Sequence, residues 1–254
     1  PVFYKKIRNF FEIHRNLSAP EMEEVASLLY SKCSRTRADI IGANPFFTLA
    51  NEVDIRINQK PPEKIFKLAR AEHVDAFFND GTIQLGTVRH YARHENPEIG
   101  DKYEDAPMVL IGERIGYTRA VAVEGGYDHY VFCAMLGDAD KMTADGFGYD
   151  SIFEITDPHG FLSAIGNCIR SKSGSFGRCN YTSYKAMKGI VNKAMRTDRI
   201  DRSLMEILGS ARNFLKPIKF KHQRELRFTW QMPHETDAPI IIKCPSAVQF
   251  ARRI

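Results

Sequence analysis

The sequence predicts an α+β fold with a mainly antiparallel or mixed sheet, on three observations. Strand-like segments outnumber helical ones, most of them lie in the second half of the chain, and they do not alternate regularly with helices as a doubly wound fold requires. Each is short, rich in β-branched and aromatic residues, and bounded by Gly, Pro or Asp.

The first element is a helix. Ser18 can cap it, Glu21 stands three residues on as in a capping box, Pro20 suits the first turn, and Met22, Val25, Leu28 and Leu29 recur at helical spacing to about Ser34. Arg35 to Pro62 is mixed in pattern and reads as a connection, so residues 1–60 are expected to form an N-terminal helical extension and 61–254 the main domain. From Glu63 the pattern tightens. Ile65, Phe66 and Leu68 suggest a strand, Glu72 to Asn79 a helix with Val74, Phe77 and Phe78 on one face, Asp80-Gly81 a turn, and Thr82 to Leu85 a second strand. Further strands are expected at Tyr117–Val123, Tyr130–Met135, Ser151–Ile155, Glu225–Trp230 and Ile240–Lys243, and helices at Pro158–Arg170 and Asp201–Phe214.

Composition removes several classes. With 43% hydrophobic and 26% charged residues in 254, the chain is neither disordered nor fibrous. No stretch approaches the roughly 20 apolar residues that cross a bilayer, and Pro1 to Lys6 lacks the apolar core of a signal peptide, so a cytoplasmic, non-membrane protein is expected. Five cysteines without a C-x-x-C pair argue for reduced thiols rather than a disulfide framework or zinc ribbon. The net charge of +5 permits an anionic partner without requiring one.

Familiar motifs are absent: there is no P-loop, no G-x-G-x-x-G after a strand, no H-E-x-x-H and no G-x-S-x-G. Lys172 to Gly177, rich in Gly and Ser, reads as a flexible loop. No metal is expected. His90, His94, Glu95, Glu98, Asp101, Glu104 and Asp105 are close in sequence, but basic residues alternate with the acids, and the two histidines fall where no helix is predicted.

Two segments stand out. In the first, Lys67 lies between Phe66 and Leu68, and strand alternation turns it away from their apolar face. In the second, Phe220 to Trp230, a strand would set Gln223, Glu225 and Arg227 on one face and Leu226, Phe228 and Trp230 on the other. One reading is an exposed sheet face with a Glu225–Arg227 pair. The other is chemical: a carboxylate beside an amide can grip a ribose hydroxyl and stabilise a developing oxocarbenium ion during N-glycosidic cleavage.

At these segments the sequence resembles the ADP-ribosyltransferase superfamily. Ile65 to Ala69, the helix from Glu72 and Gly81-Thr82-Ile83 resemble its first strand, helix and xxGxL turn, particularly as in DNA-modifying toxins. Gln223-Arg224-Glu225-Leu226 resembles its Q-x-E element. Lys67 stands where that family usually carries His or Arg, Ala69 where a small hydroxyl residue is typical, and the nearest S-T-S element is Tyr181-Thr182-Ser183. More loosely, the chain is similar to bacterial proteins of defence and toxin loci, through Gly81 to Thr87, Tyr91, Arg93, Gly100-Asp101, Glu104 and Tyr130 to Cys133.

The resemblance implies two small sheets around an NAD cleft, with NAD as co-substrate and transfer of ADP-ribose to a macromolecular acceptor (DNA, RNA or protein), and with an antitoxin or regulatory partner. It implies Glu225 as the catalytic carboxylate, Gln223 as the residue positioning ribose or acceptor, and Lys67 with Leu68, Arg89 and Arg93 on the cofactor. Tyr91 is the candidate for stacking, with an ordinary partly buried aromatic as the alternative. The alternative functions are an NAD glycohydrolase and a non-catalytic nucleic-acid module. The latter draws on the basic clusters Arg170-Ser171-Lys172, Lys185 to Arg199 and Lys216-Lys219-Lys221.

Overall fold

Residues 65–87 form the strand, helix, strand unit that their periodicity predicts. The computed structural model describes residues 7–13, 59, 61, 63–101, 104, 108–114, 117–123, 127–137, 146–182, 186–190 and 212–254. In chain order the strands described are β1 (Ile7–Ile13), β2 (Ile65–Ala69), β3 (Thr82–Thr87), β4 (Met108–Arg114), β5 (Tyr117–Val123), β6 (His129–Leu136), β7 (Ser151–Ile155), β8 (Ser173–Arg178), β9 (Asn180–Thr182), β10 (Ala186–Ile190), β11 (Leu215–Pro217), β12 (Glu225–Gln231), β13 (Ile240–Lys243) and β14 (Ala251–Arg253). The helices described are α1 (Ala71–Asp80), α2 (Val88–Ala92), α3 (Pro158–Ile169) and α4 (Pro245–Val248), and a 3-10 turn covers Ile218–Gln223. The fold is α+β, with mostly antiparallel sheets and few helices.

The chain divides into two compact units. One comprises residues 1–54, 105–126 and 180–219, the other residues 55–104, 127–179 and 220–254. The first unit is made of separated segments, because β5 pairs with the N-terminal β1. In the first unit β1 pairs antiparallel with β5, β5 with β4, and β10 parallel with β4, giving the order β1-β5-β4-β10. The N-terminal extension thus contributes a strand rather than helix alone, as the apolar Ile7, Phe10, Phe11 and Ile13 favour. The helix expected at Ser18 to Ser34 lies outside the described residues, as does 201–211 of the helix expected at Asp201–Phe214. The basic run from Lys185 to Arg199 lies mostly outside them; its described part, from Ala186, is β10.

The second unit is built on an eight-stranded sheet. Its path runs β13-β3-β6-β2-β7-β14, with β12 on the opposite edge of β6 and β8 beyond β12. One face is the apolar core: Phe132, Phe228 and Trp230 from the sheet pack with Phe161, Leu162 and Ile165 of α3 and Val74 and Phe77 of α1. Phe228 lies 5.3 Å from Phe161 and 5.5 Å from Phe176, centroid to centroid, and Trp230 donates its indole N–H to the Leu162 carbonyl at 2.9 Å, so the ring is buried with its polar atom satisfied. Lys172 to Gly177, read as a loop, belongs mostly to β8, which pairs with β12 from Ser173 to Arg178.

Gly81 ends α1 at φ 76°, and a Cβ there would lie 2.4 Å from Cys244 C and Pro245 N. Gly148 has a similar φ of 70° with open space around it. Gly81→Ala is therefore expected to cost about 2 kcal/mol or more, the left-handed strain plus displacement of backbone, whereas Gly148→Ala costs only about 1 kcal/mol. Urea unfolding of the two variants separates the terms, and equal losses would show that the Gly81 contact gives way freely.

Where β6 begins, the Asp128 carboxylate lies 2.8 Å from His129 Nδ1 and accepts from Gln231 Nε2 at 3.0 Å. Burial opposes its ionisation, but the hydrogen bond and charge of His129 and the Gln231 amide outweigh it, lowering its pKa to about 2. A carboxylate depressed on folding contributes stability above its unfolded value near 4 and loses it as pH falls from about 4 to 2. Asp128→Asn should therefore flatten the fall of the urea midpoint across that window; an unchanged acid limb would show that other carboxylates set it.

Candidate active site

Strand β6 is paired along its whole length with β12, but its other edge is shared. Gly86 and Thr87 of β3 take Val131 and Tyr130, whereas Ile65 and Phe66 of β2 take Leu136 and Met135. Residues 132–134 face the notch where β2 and β3 diverge, and backbone groups at such an edge require other partners. Lys67, just past the last residue of β2 paired with β6, donates from Nζ to the Cys133 carbonyl at 2.9 Å, and its ammonium stands 4.6 Å over the Phe132 ring. Tyr91 of α2 directs its hydroxyl to the Val131 carbonyl at 3.4 Å. Its ring lies against Gly86, where a Cβ would come within 2.7 Å of it, so the glycine makes room for the tyrosine.

Behind this notch lies a buried charged bridge. Glu225 and Arg227 alternate onto one face of β12, opposite Met135 and Cys133 in register, and Arg227 Nε donates to Glu225 Oε1 at 2.5 Å. The two other guanidinium nitrogens hold both oxygens of Glu104, Nη2 at 3.2 Å from Oε2 and Nη1 in direct contact with Oε1. Glu225, Arg227 and Glu104 are respectively 5%, 1% and 1% exposed. The Glu225–Arg227 pair thus forms, but on a buried face rather than an exposed one.

Local structure explains how Glu104 arrives. Thr87 caps α2 by accepting from the His90 amide, and the chain then turns back with Gly100 N–H on the Asn96 carbonyl at 2.7 Å. Gly100 is required there, since a Cβ would meet the His94 carbonyl oxygen at 2.2 Å. Asp101 N–H then bonds the Tyr91 carbonyl and Glu104 N–H the Asp101 carbonyl. This return segment is clamped at Glu98: Gln223 Nε2 donates to the Glu98 carbonyl at 2.7 Å, and His222 Nε2 lies 2.9 Å from its carboxylate.

Electrostatics separate the roles. Burial lowers the Lys67 pKa, against the pull of Cys133 and Glu225. Burial, then Cys133 and Glu225, push the Tyr91 phenol well up, with Arg227 opposing, so Tyr91 is a protonated donor at neutral pH. Burial would lower the Arg227 pKa, but Cys179, Glu104, Glu225 and Cys133 more than offset it, and the guanidinium stays charged.

Of the residues expected in the site, Lys67 and Tyr91 are each brought within electrostatic reach of Glu225. Lys67 shares its strand face with the core residues Ile65 and Ala69, and Phe66 and Leu68 are buried too, so it is not set apart from an apolar face. Leu68 pairs with Ile152 of β7 and is packed, not presented to the notch. Gln223 is not in the strand: it ends the 3-10 turn, and Arg224, at φ 43°, breaks the alternation that would align it with Glu225. Arg89 and Arg93 stand elsewhere, lining an open pocket of about 500 Å³ with His90, His94, Glu95 and Asp237. The Arg89 guanidinium is engaged by Glu235 and Asp237 and lies 4.4 Å over the Tyr127 ring, whereas Arg93 is exposed. His90 and His94 meet edge to face at 5.7 Å, with His90 in the short helix α2 that the sequence does not announce. Of the S-T-S candidate, Tyr181 and Thr182 lie in β9 and Ser183 lies outside the described residues.

From the sequence, Arg227 has only its pairing with Glu225 and Cys133 only its place in a loosely similar segment. Their signal was the alternation that places each opposite the other across β6 and β12. No helix among the described residues is long and apolar enough to cross a membrane. No family model, no curated protein and no solved structure matches the chain.

Proposed function

We propose that the chain is an NAD-dependent ADP-ribosyltransferase, with Glu225 as the carboxylate that stabilises the cationic ribose during cleavage. The observation that carries this reading is that Lys67 and Tyr91, from separated segments, meet β6 at the notch, and that each lies within electrostatic reach of Glu225 on the neighbouring strand β12. When the bond between ribose C1′ and the nicotinamide nitrogen breaks, its electron pair leaves with nicotinamide and positive charge moves to the ribose. The Glu225 carboxylate stabilises that charge, and Arg227 fixes the carboxylate in place before the reaction. Lys67 and Tyr91, both half-buried, are the outer members a ligand meets first, and the Lys67 ammonium carries hydrogens beyond the one given to Cys133 for phosphate or hydroxyl oxygens. Gln223 then acts through Glu98, holding the segment that delivers Glu104, rather than on ribose directly.

The reading is tested by incubating the full chain with NAD, alone and with DNA, RNA or cell lysate, and measuring released nicotinamide. Release with label on one acceptor class supports transfer, and release without labelling makes the protein an NAD glycohydrolase. No release under any of these conditions, with salt-sensitive oligonucleotide binding, replaces the reading by the nucleic-acid module.

A further inference from the structure

Away from the notch, two cysteines lie side by side where the end of α3 meets the chain before α4. Cys168 lies in the last turn of α3 and is exposed, whereas Cys244 precedes α4 and is 1% exposed. Cys168 Sγ donates to the Lys243 carbonyl at 3.2 Å, the carbonyl whose carbon is bonded to the Cys244 nitrogen. Cys244 Sγ donates to the Ala164 carbonyl at 3.5 Å, which is the group that accepts the Cys168 amide in a regular helix. Each thiol therefore sits on the backbone beside the other. The junction is held firmly: Cys244 N–H bonds the Gly81 carbonyl at 2.9 Å, and Ala247 N–H bonds the Cys244 carbonyl at 3.0 Å. Neither sulfur is in a disulfide.

We propose that Cys168 and Cys244 are a paired oxidation site, at which a low-molecular-weight disulfide converts the two thiols into an intramolecular bond joining α3 to the start of α4. The exposed Cys168 thiolate attacks one sulfur of the reagent, forming a mixed disulfide and expelling one thiolate. The Cys244 thiolate then attacks the Cys168 sulfur and expels the second, so two protein thiols are oxidised and one reagent disulfide is reduced to two thiols. Burial and the neighbouring Cys244 hold the Cys168 thiol above its ordinary pKa, so the first step is slower than at an isolated surface cysteine. The inference is independent of the NAD reading, since it uses none of the residues at the notch.

The test is incubation of the native full chain with glutathione disulfide, followed by peptide mapping without reduction. The expected result is a linked Cys168–Cys244 peptide, while Cys244→Ser accumulates glutathione on Cys168 and Cys168→Ser leaves Cys244 unmodified. Glutathione retained on Cys168 of the native chain as fully as in Cys244→Ser, with no linked peptide, would overturn the proposal. So would equal modification of Cys244 in Cys168→Ser, because it would show that the buried thiol is reached without its partner.

Discussion

Glu225→Gln is expected to lower nicotinamide release from NAD by about 10²–10³-fold, the usual cost of removing one preorganised electrostatic contact to a transition state. Shape and burial are preserved by the substitution, and only the charge is lost. Arg227 still holds Glu104 through its two terminal nitrogens, and a glutamine oxygen still accepts from Nε. The urea midpoint should therefore move little. A variant that unfolds in place of losing activity would assign Glu225 to the structural bridge alone, and undiminished turnover would remove it from the chemistry.

The largest stability effect is expected at Arg227. Arg227→Ala removes the guanidinium between two carboxylates that are 5% and 1% exposed, and breaking a buried ion pair from one side costs about 3–5 kcal/mol. Arg227→Lys should recover little of this, because an ammonium cannot reproduce a planar fork that meets Glu225 through Nε and Glu104 through both terminal nitrogens. Chemical unfolding of both variants reads this directly. A loss below about 1 kcal/mol in Arg227→Ala would show that water replaces the guanidinium, as at a surface pair.

These residues also show how far the sequence reaches. Periodicity is a local property, and the β2, α1, β3 unit and the strands at 117–123, 151–155 and 240–243 follow it directly. β8 does not, because Ser-Gly-Ser-Phe-Gly-Arg has the composition of a loop. Its glycines serve packing instead: a Cβ at Gly174 would press to 3.1 Å on Leu162 and 3.3 Å on Trp230, so pairing with β12 overrides local propensity.

The candidate site divides in the same way. Glu225 and Arg227 share a face by strand alternation, which two residues of spacing predict. Gln223 breaks the same rule because one left-handed residue, Arg224, intervenes, and nothing in Gln-Arg-Glu announces a positive φ. Glu104 stands 123 residues from Arg227, a separation at which no pattern carries the pairing. Arg89 lies in α2 and Arg93 just after it, one turn on, yet the acidic partners of Arg89, Glu235 and Asp237, come from a distant segment and draw Arg89 away from the notch.

On the proposed reading, NAD is cleaved with its nicotinamide ribose against Glu225. A crystal structure of the full chain with a non-cleavable NAD analogue tests it most directly. The expected result is a ribose hydroxyl within about 3 Å of a Glu225 oxygen, as a hydrogen bond requires, with Lys67 and Tyr91 on the same ligand. An analogue seated instead in the Arg89 and Arg93 pocket, with Glu225 still enclosed by Arg227, would contradict it.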